Sequence, residues 1–133
     1  MKNINLVFGL VCDDVRFEVN GKISIIGESN LFYLPTLPLT IPLCIMTKWS
    51  GTPGAKGTVS LRMLSPDSTV PANMSVQEME LAVTDFDTSF GGTIHKIPWQ
   101  IHTSGVHMIK ILLDSEESGR IELMIKKGMT SKN

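Results

Sequence analysis

Asp13-Asp14-Val15-Arg16-Phe17-Glu18-Val19-Asn20-Gly21-Lys22-Ile23-Ser24-Ile25-Ile26-Gly27 is the stretch that decides the fold class. Val15 and Phe17 alternate with Arg16 and Glu18, and Ile23 and Ile25 alternate with Lys22 and Ser24. A period of two sends successive side chains to opposite faces of a strand, so the stretch reads as a hairpin with one apolar face. Its register follows from the same alternation. A two-residue Asn20-Gly21 turn would set Glu18 opposite Ile23 and put polar groups on the apolar face. A three-residue loop, Val19-Asn20-Gly21, sets Glu18 opposite Lys22, Phe17 opposite Ile23 and Val15 opposite Ile25. The matched pairs predict a type I turn with a G1 bulge and Gly21 at positive φ.

The same grammar continues on both sides. Ile4 to Cys12 is almost wholly apolar, as suits a strand covered on both faces. Asn30 to Leu34 reads as a short strand. Pro35, Pro38 and Pro42 then punctuate an extended crossover, because proline cannot serve a central ladder. Leu43 to Trp49 and Thr58 to Leu64 are strands joined by a Gly/Pro loop. Thr69 to Ser104 reads ambiguously as strand, helical turn or loop insertion; within it Ile94 to Ile101 looks extended, with Pro98 confining it to a sheet edge. Val106 to Asp114 and Arg120 to Lys127 flank SEESG as a closing hairpin. Eight or nine short strands with steady turn signals imply one all-β domain over residues 1–133, a two-sheet antiparallel sandwich of immunoglobulin-like or similar Greek-key topology.

Composition narrows the function classes. The chain has 133 residues, 42% hydrophobic and 19% charged, which suits a single globular core. Twelve basic against 13 acidic residues leave a net charge of -1, so no electrostatic footprint for nucleic acid or an anionic membrane is present. Cys12 and Cys44 sit in apolar runs and read as buried thiols. No apolar run reaches membrane-span length, and Ile4 to Cys12 lacks a signal-peptide cleavage pattern, so the expected compartment is the cytoplasm.

Chemical motifs fail on inspection. Ser50 to Thr58 looks like a phosphate loop, but Ala55 separates Gly54 from Lys56 and a strand follows where a helix is required. His95, His102 and His107 have no zinc-ligand spacing, and 95 and 102 differ by an odd number, which points them to opposite faces of an unbroken strand. Asp85 and Asp87, with Asp13 and Asp14, could gather as ligand-end loops at one end of a sandwich, yet no glycine-spaced calcium loop accompanies them. No residue reads as catalytic, cofactor-binding or metal-ligating. Trp49 reads as a core tryptophan. Pro98 and Trp99, on the expected edge, are the candidate interaction surface.

Cys12-Asp13-Asp14-Val15-Arg16, the Asn20-Gly21-Lys22 turn and Ser24-Ile25-Ile26-Gly27, with Gly105 to Asp114 near the end, resemble a family of small uncharacterised bacterial proteins. The resemblance implies a bacterial or phage β-sandwich of unknown function and carries over no site.

The expectation for function is therefore a non-enzymatic protein-interaction or structural module, with self-association as its natural form. The alternative is a binder of a small molecule, with a pocket at the sandwich end near Asp13, Gly51 to Gly57 and Asp85 to Phe90.

Overall fold

Nearly every apolar alternation in the sequence becomes a strand. The computed structural model describes residues 3–19, 22–67, 77–83 and 90–128. Its strands are β1 (Ile4–Cys12), β2 (Asp14–Phe17), β3 (Ile23–Ile26), β4 (Leu31–Leu34), β5 (Leu39–Gly51), β6 (Lys56–Leu64), β7 (Gln77–Ala82), β8 (Phe90–Ile101), β9 (Gly105–Leu113) and β10 (Glu116–Lys127). Among the described residues no helix is long and apolar enough to cross a membrane.

The expected count and layering are corrected. Among the described residues ten strands form three sheets, ordered β1-β5-β8, β4-β10-β9-β6-β7 and β2-β3. Pairing is antiparallel except between β4 and β10, which run parallel. Within the ambiguous stretch, Gln77–Ala82 and Phe90–Ile101 are strand. The three-stranded and five-stranded sheets share one core, in which Ile45, Trp49, Ile97, Trp99 and Ile101 meet Val59, Leu61, Ile109, Ile111, Leu123 and Ile125. Trp49 is in that core as expected. The sheets also approach each other at both seams, β1 against β10 and β7 against β8. At the second seam a Cβ on Gly91 would stand 2.5 Å from the Ala82 carbonyl oxygen, so only glycine permits that closeness.

The expected crossover at Pro35 to Pro42 is shorter than the prolines implied, because β5 already begins at Leu39. Pro42 stands directly opposite Pro98. Two opposed prolines fit at a non-hydrogen-bonded position, where neither missing N–H is needed between the strands. The β1–β5 ladder ends at Cys12–Cys44, so Pro42 lies beyond it and β5 has only β8 as a ladder neighbour there. Both prolines then stand at strand edges, where they hinder pairing with another chain.

The closing hairpin is also tighter than expected. Glu116 pairs with Leu113, and Asp114 and Ser115 form the turn with φ of 50° and 73°. SEESG is therefore mostly strand, with a register shift between Glu117 and Gly119. Asp114 Oδ1 accepts the Thr58 N–H at 3.0 Å, tying the turn to β6.

Candidate functional site: a groove beside the first hairpin

The apolar run of β1 implies cover on both faces, but the cover is complete only at its end, where Val11 and Cys12 are buried, and Val7 is 49% exposed. Ile4, Leu6 and Val11 face the main core. Phe8, Leu10 and Cys12 belong to a second cluster with Cys44, Met46, Val15, Ile25 and Ile94. That cluster lies on the outer side of the three-stranded sheet, and hairpin β2–β3 covers it. The hairpin register is the one the alternation required: Val15 opposite Ile25, Phe17 opposite Ile23, and the Glu18 N–H donating to the Lys22 carbonyl. Asn20 and Gly21 lie outside the described residues.

Asp13 and Gly27 anchor the hairpin's base. The Asp13 N–H donates to the Ile26 carbonyl at 2.8 Å. Gly27 has φ of 69°, and a Cβ there would meet the Asp13 carboxylate. A non-glycine residue would therefore meet both backbone strain and a clash.

The hairpin covers only part of the sheet. Beyond it opens a groove of about 830 Å³, lined by Asp13, Asp14, Thr40 to Cys44 on β5, and Lys96 to Pro98 on β8. One wall carries an ion pair: Lys96 Nζ lies 3.3 Å from Asp14 Oδ1. Asp14 also accepts the Val15 N–H, and these contacts hold its carboxyl below the usual carboxylate range, the backbone hydrogen bond contributing most. At the far end of the hairpin the cover lifts off: Phe17 is 71% exposed and Ile23 42%.

The structure redistributes the sequence candidates. Asp13, Asp14 and Pro98, drawn from two separate proposals, come together in this groove. Trp99 does not join them: it is 1% exposed and packs edge-on to His107 with ring centroids 5.2 Å apart. It cannot offer the surface expected of it. Its parity with Ile97 and Ile101 was the available signal, since all three point inward along β8. Asp85 and Asp87 lie outside the described residues. The expected end pocket is also broken up. Asp13 follows the Cys12–Cys44 rung, whereas Gly51 pairs with Ile4 and Ser50 with Phe90. Seven residue steps along β5 separate these levels, roughly 23 Å. The Gly51 to Gly57 loop is a strand connection, with the Gly54 N–H bonded to the Val83 carbonyl.

Inside the core, polar groups form a chain that sequence reading missed. The Trp49 Nε1–H donates to Thr47 Oγ1 at 2.7 Å, Thr47 meets Thr93 at 2.5 Å, and Thr93 meets His95 Nε2 at 2.8 Å. All four side chains are buried. Burial pushes His95 down to about 4, so it is neutral near pH 7. His107 is also lowered by burial, and its Nε2 contacts the Thr103 carbonyl. His102 is exposed. His95 and His107 read as structural members of the core.

No curated protein sequence matches the chain. Among solved structures, the alkylpurine DNA glycosylase AlkC of Pseudomonas fluorescens, bound to DNA containing an abasic site analog, is similar over 94% of this chain and 31% of its own, at 11% identity and a TM-score of 0.49. A β-glucosidase of Listeria innocua is similar over 94% of this chain and 16% of its own, at 8% identity and a TM-score of 0.48. This chain thus spans less than a third of those proteins. An immunoglobulin-like protein of Pseudomonas aeruginosa is similar over 92% of this chain and 96% of its own, at 11% identity and a TM-score of 0.43. A family model matches residues 7–126, and the chain belongs to that family, a family of unknown function (DUF6941).

Proposed function

We propose that this chain is a non-enzymatic protein-interaction module that associates with a second copy of itself through hairpin β2–β3. The observation that carries the reading is the Phe17–Ile23 pair, an apolar rung left exposed at the lifted end of a hairpin that belongs to neither large sheet. Exposed contiguous apolar groups on a stable domain mark association surfaces. The fold is read as immunoglobulin-like or a related Greek key, supported by the chain's repeated passage between the two larger sheets. The setting is read as bacterial or phage, and within it the two free buried thiols support the cytoplasm, since they suit a reducing compartment. Sedimentation velocity over a concentration series tests the function. The wild-type chain is expected to grow in size with concentration, and the double variant Phe17→Ser, Ile23→Ser to stay monomeric. A wild-type chain that remains monomeric throughout overturns it.

A second reading, capture of a small molecule, is favoured by the groove itself. Its volume of about 830 Å³ falls in the range of ligand sites, and it joins apolar residues to the Asp14–Lys96 pair. Anilinonaphthalene sulfonate is expected to bind one per chain and to be excluded by Pro98→Trp. Absence of dye binding by the wild-type chain would remove this reading.

A further inference from the structure

We propose that Cys12 and Cys44 form a redox-active dithiol that exchanges with small-molecule disulfides, Cys44 attacking first and Cys12 resolving. The proposal is independent of the association reading. Cys12 and Cys44 are register partners across β1 and β5, and Cys44 is in turn the partner of Lys96 on β8. One rung of the three-stranded sheet thus reads Cys12, Cys44, Lys96.

The geometry suits a cross-link. Register partners in an antiparallel pair have Cα atoms roughly 4.5–5.5 Å apart, inside the span a disulfide accepts. Both side chains lie in the outer cluster, and the Cys12 thiol points to Cys44 Sγ at 3.8 Å. Both cysteines are free.

The two sulfurs are not equivalent. Cys44 lines the groove, where a small disulfide can reach it, whereas Cys12 does not line it. Burial pushes the Cys12 thiol up to about 12, helped by Cys44 and by the Asp13 and Asp14 carboxylates. Cys12 therefore stays a protonated donor to Cys44 until a mixed disulfide has formed.

The chemistry balances. The Cys44 thiolate attacks one sulfur of a small disulfide, forms an S–S bond and releases one thiolate, which takes up the Cys44 proton from solvent. Cys12 then loses its proton and attacks Cys44 Sγ. The mixed disulfide breaks, and the second small thiolate leaves with that proton. Two protein thiols are oxidised and one small disulfide is reduced to two thiols. The new bond would staple the last β1–β5 rung, the point from which the chain leaves for the hairpin.

Intact-mass analysis of the folded chain after treatment with oxidised glutathione tests this. The wild-type chain is expected to lose two hydrogen atoms, to lose both alkylatable thiols, and to recover them with dithiothreitol. Cys12→Ser is expected to stop at one glutathione adduct per chain, and Cys44→Ser to react about tenfold more slowly. A wild-type chain that holds a glutathione adduct without closing the ring, or reacts only in denaturant, overturns the dithiol. Equal reactivity of the two variants overturns the assignment of Cys44 as the attacking thiol.

Discussion

The first and last hairpins are written in the same alternating pattern and end in opposite environments. In β9–β10, Ile109, Ile111, Leu123 and Ile125 are all buried between two sheets. In β2–β3, Val15 is buried, Ile25 is half-buried, and Phe17 and Ile23 stand largely in solvent. The difference is in neighbours. Strand β10 pairs with β9 and β4, and β9 pairs with β6, so that hairpin sits inside a five-stranded sheet facing another sheet. Among the described residues β2–β3 pairs with no other strand and rests on its host through one small cluster and the Asp14–Lys96 ion pair. Alternation dictates which residues share a face. It does not say how much of that face the rest of the protein will cover.

The largest expected effect breaks the well-covered hairpin. Ile111→Ala should cost about 3–4 kcal/mol in urea unfolding, since the cavity opens in a core packed from both sheets.

Acid should weaken the same core while leaving the first hairpin's own groups aside. His95 is buried opposite the closing hairpin's sheet, and residues 13–27 contain no histidine. Its folded value of about 4 lies below the ordinary 6.5, so the unfolded chain binds the proton first. Stability is then full above about pH 6.5 and falls as pH drops toward 4, by about 3 kcal/mol from this group. His107, lowered in the same direction, adds to the slope. Unfolding free energies measured at steps from pH 7 to pH 4 check this, and His95→Gln should flatten the profile. Asp14 and Glu117, with depressed values, lose their contribution only at lower pH still, so the windows separate.

The smallest effect sharpens the contrast. Phe17→Ser should change the stability of the monomer by no more than about 0.5 kcal/mol, because its side chain is already 71% exposed. A large loss in dilute solution would mean that the hairpin is covered more fully than its surroundings indicate.

Much of the fold was legible. The register of β2–β3 followed from matching Val15 with Ile25 and Phe17 with Ile23, a local question with one consistent answer. The edge position of β8 followed from Pro98, whereas the apolar run of β1 overstated its cover, since Val7 is 49% exposed. The site was barely legible. Asp13 and Asp14 lie more than 80 residues from Pro98, and nothing local in the sequence says that they share a groove. Pro98 marks the edge of β8, but parity with Ile97 sends the indole of its neighbour Trp99 inward.

Period-two patterning and turn chemistry were enough to establish an all-β chain with a defined first hairpin. They act within a few residues of each other and so can be read in one dimension. Three sheets instead of two, the parallel β4–β10 pair and the Cys12, Cys44, Lys96 rung depend on which distant strands become neighbours. Only the packing of whole faces against each other decides that, because each strand could satisfy its alternation on more than one partner.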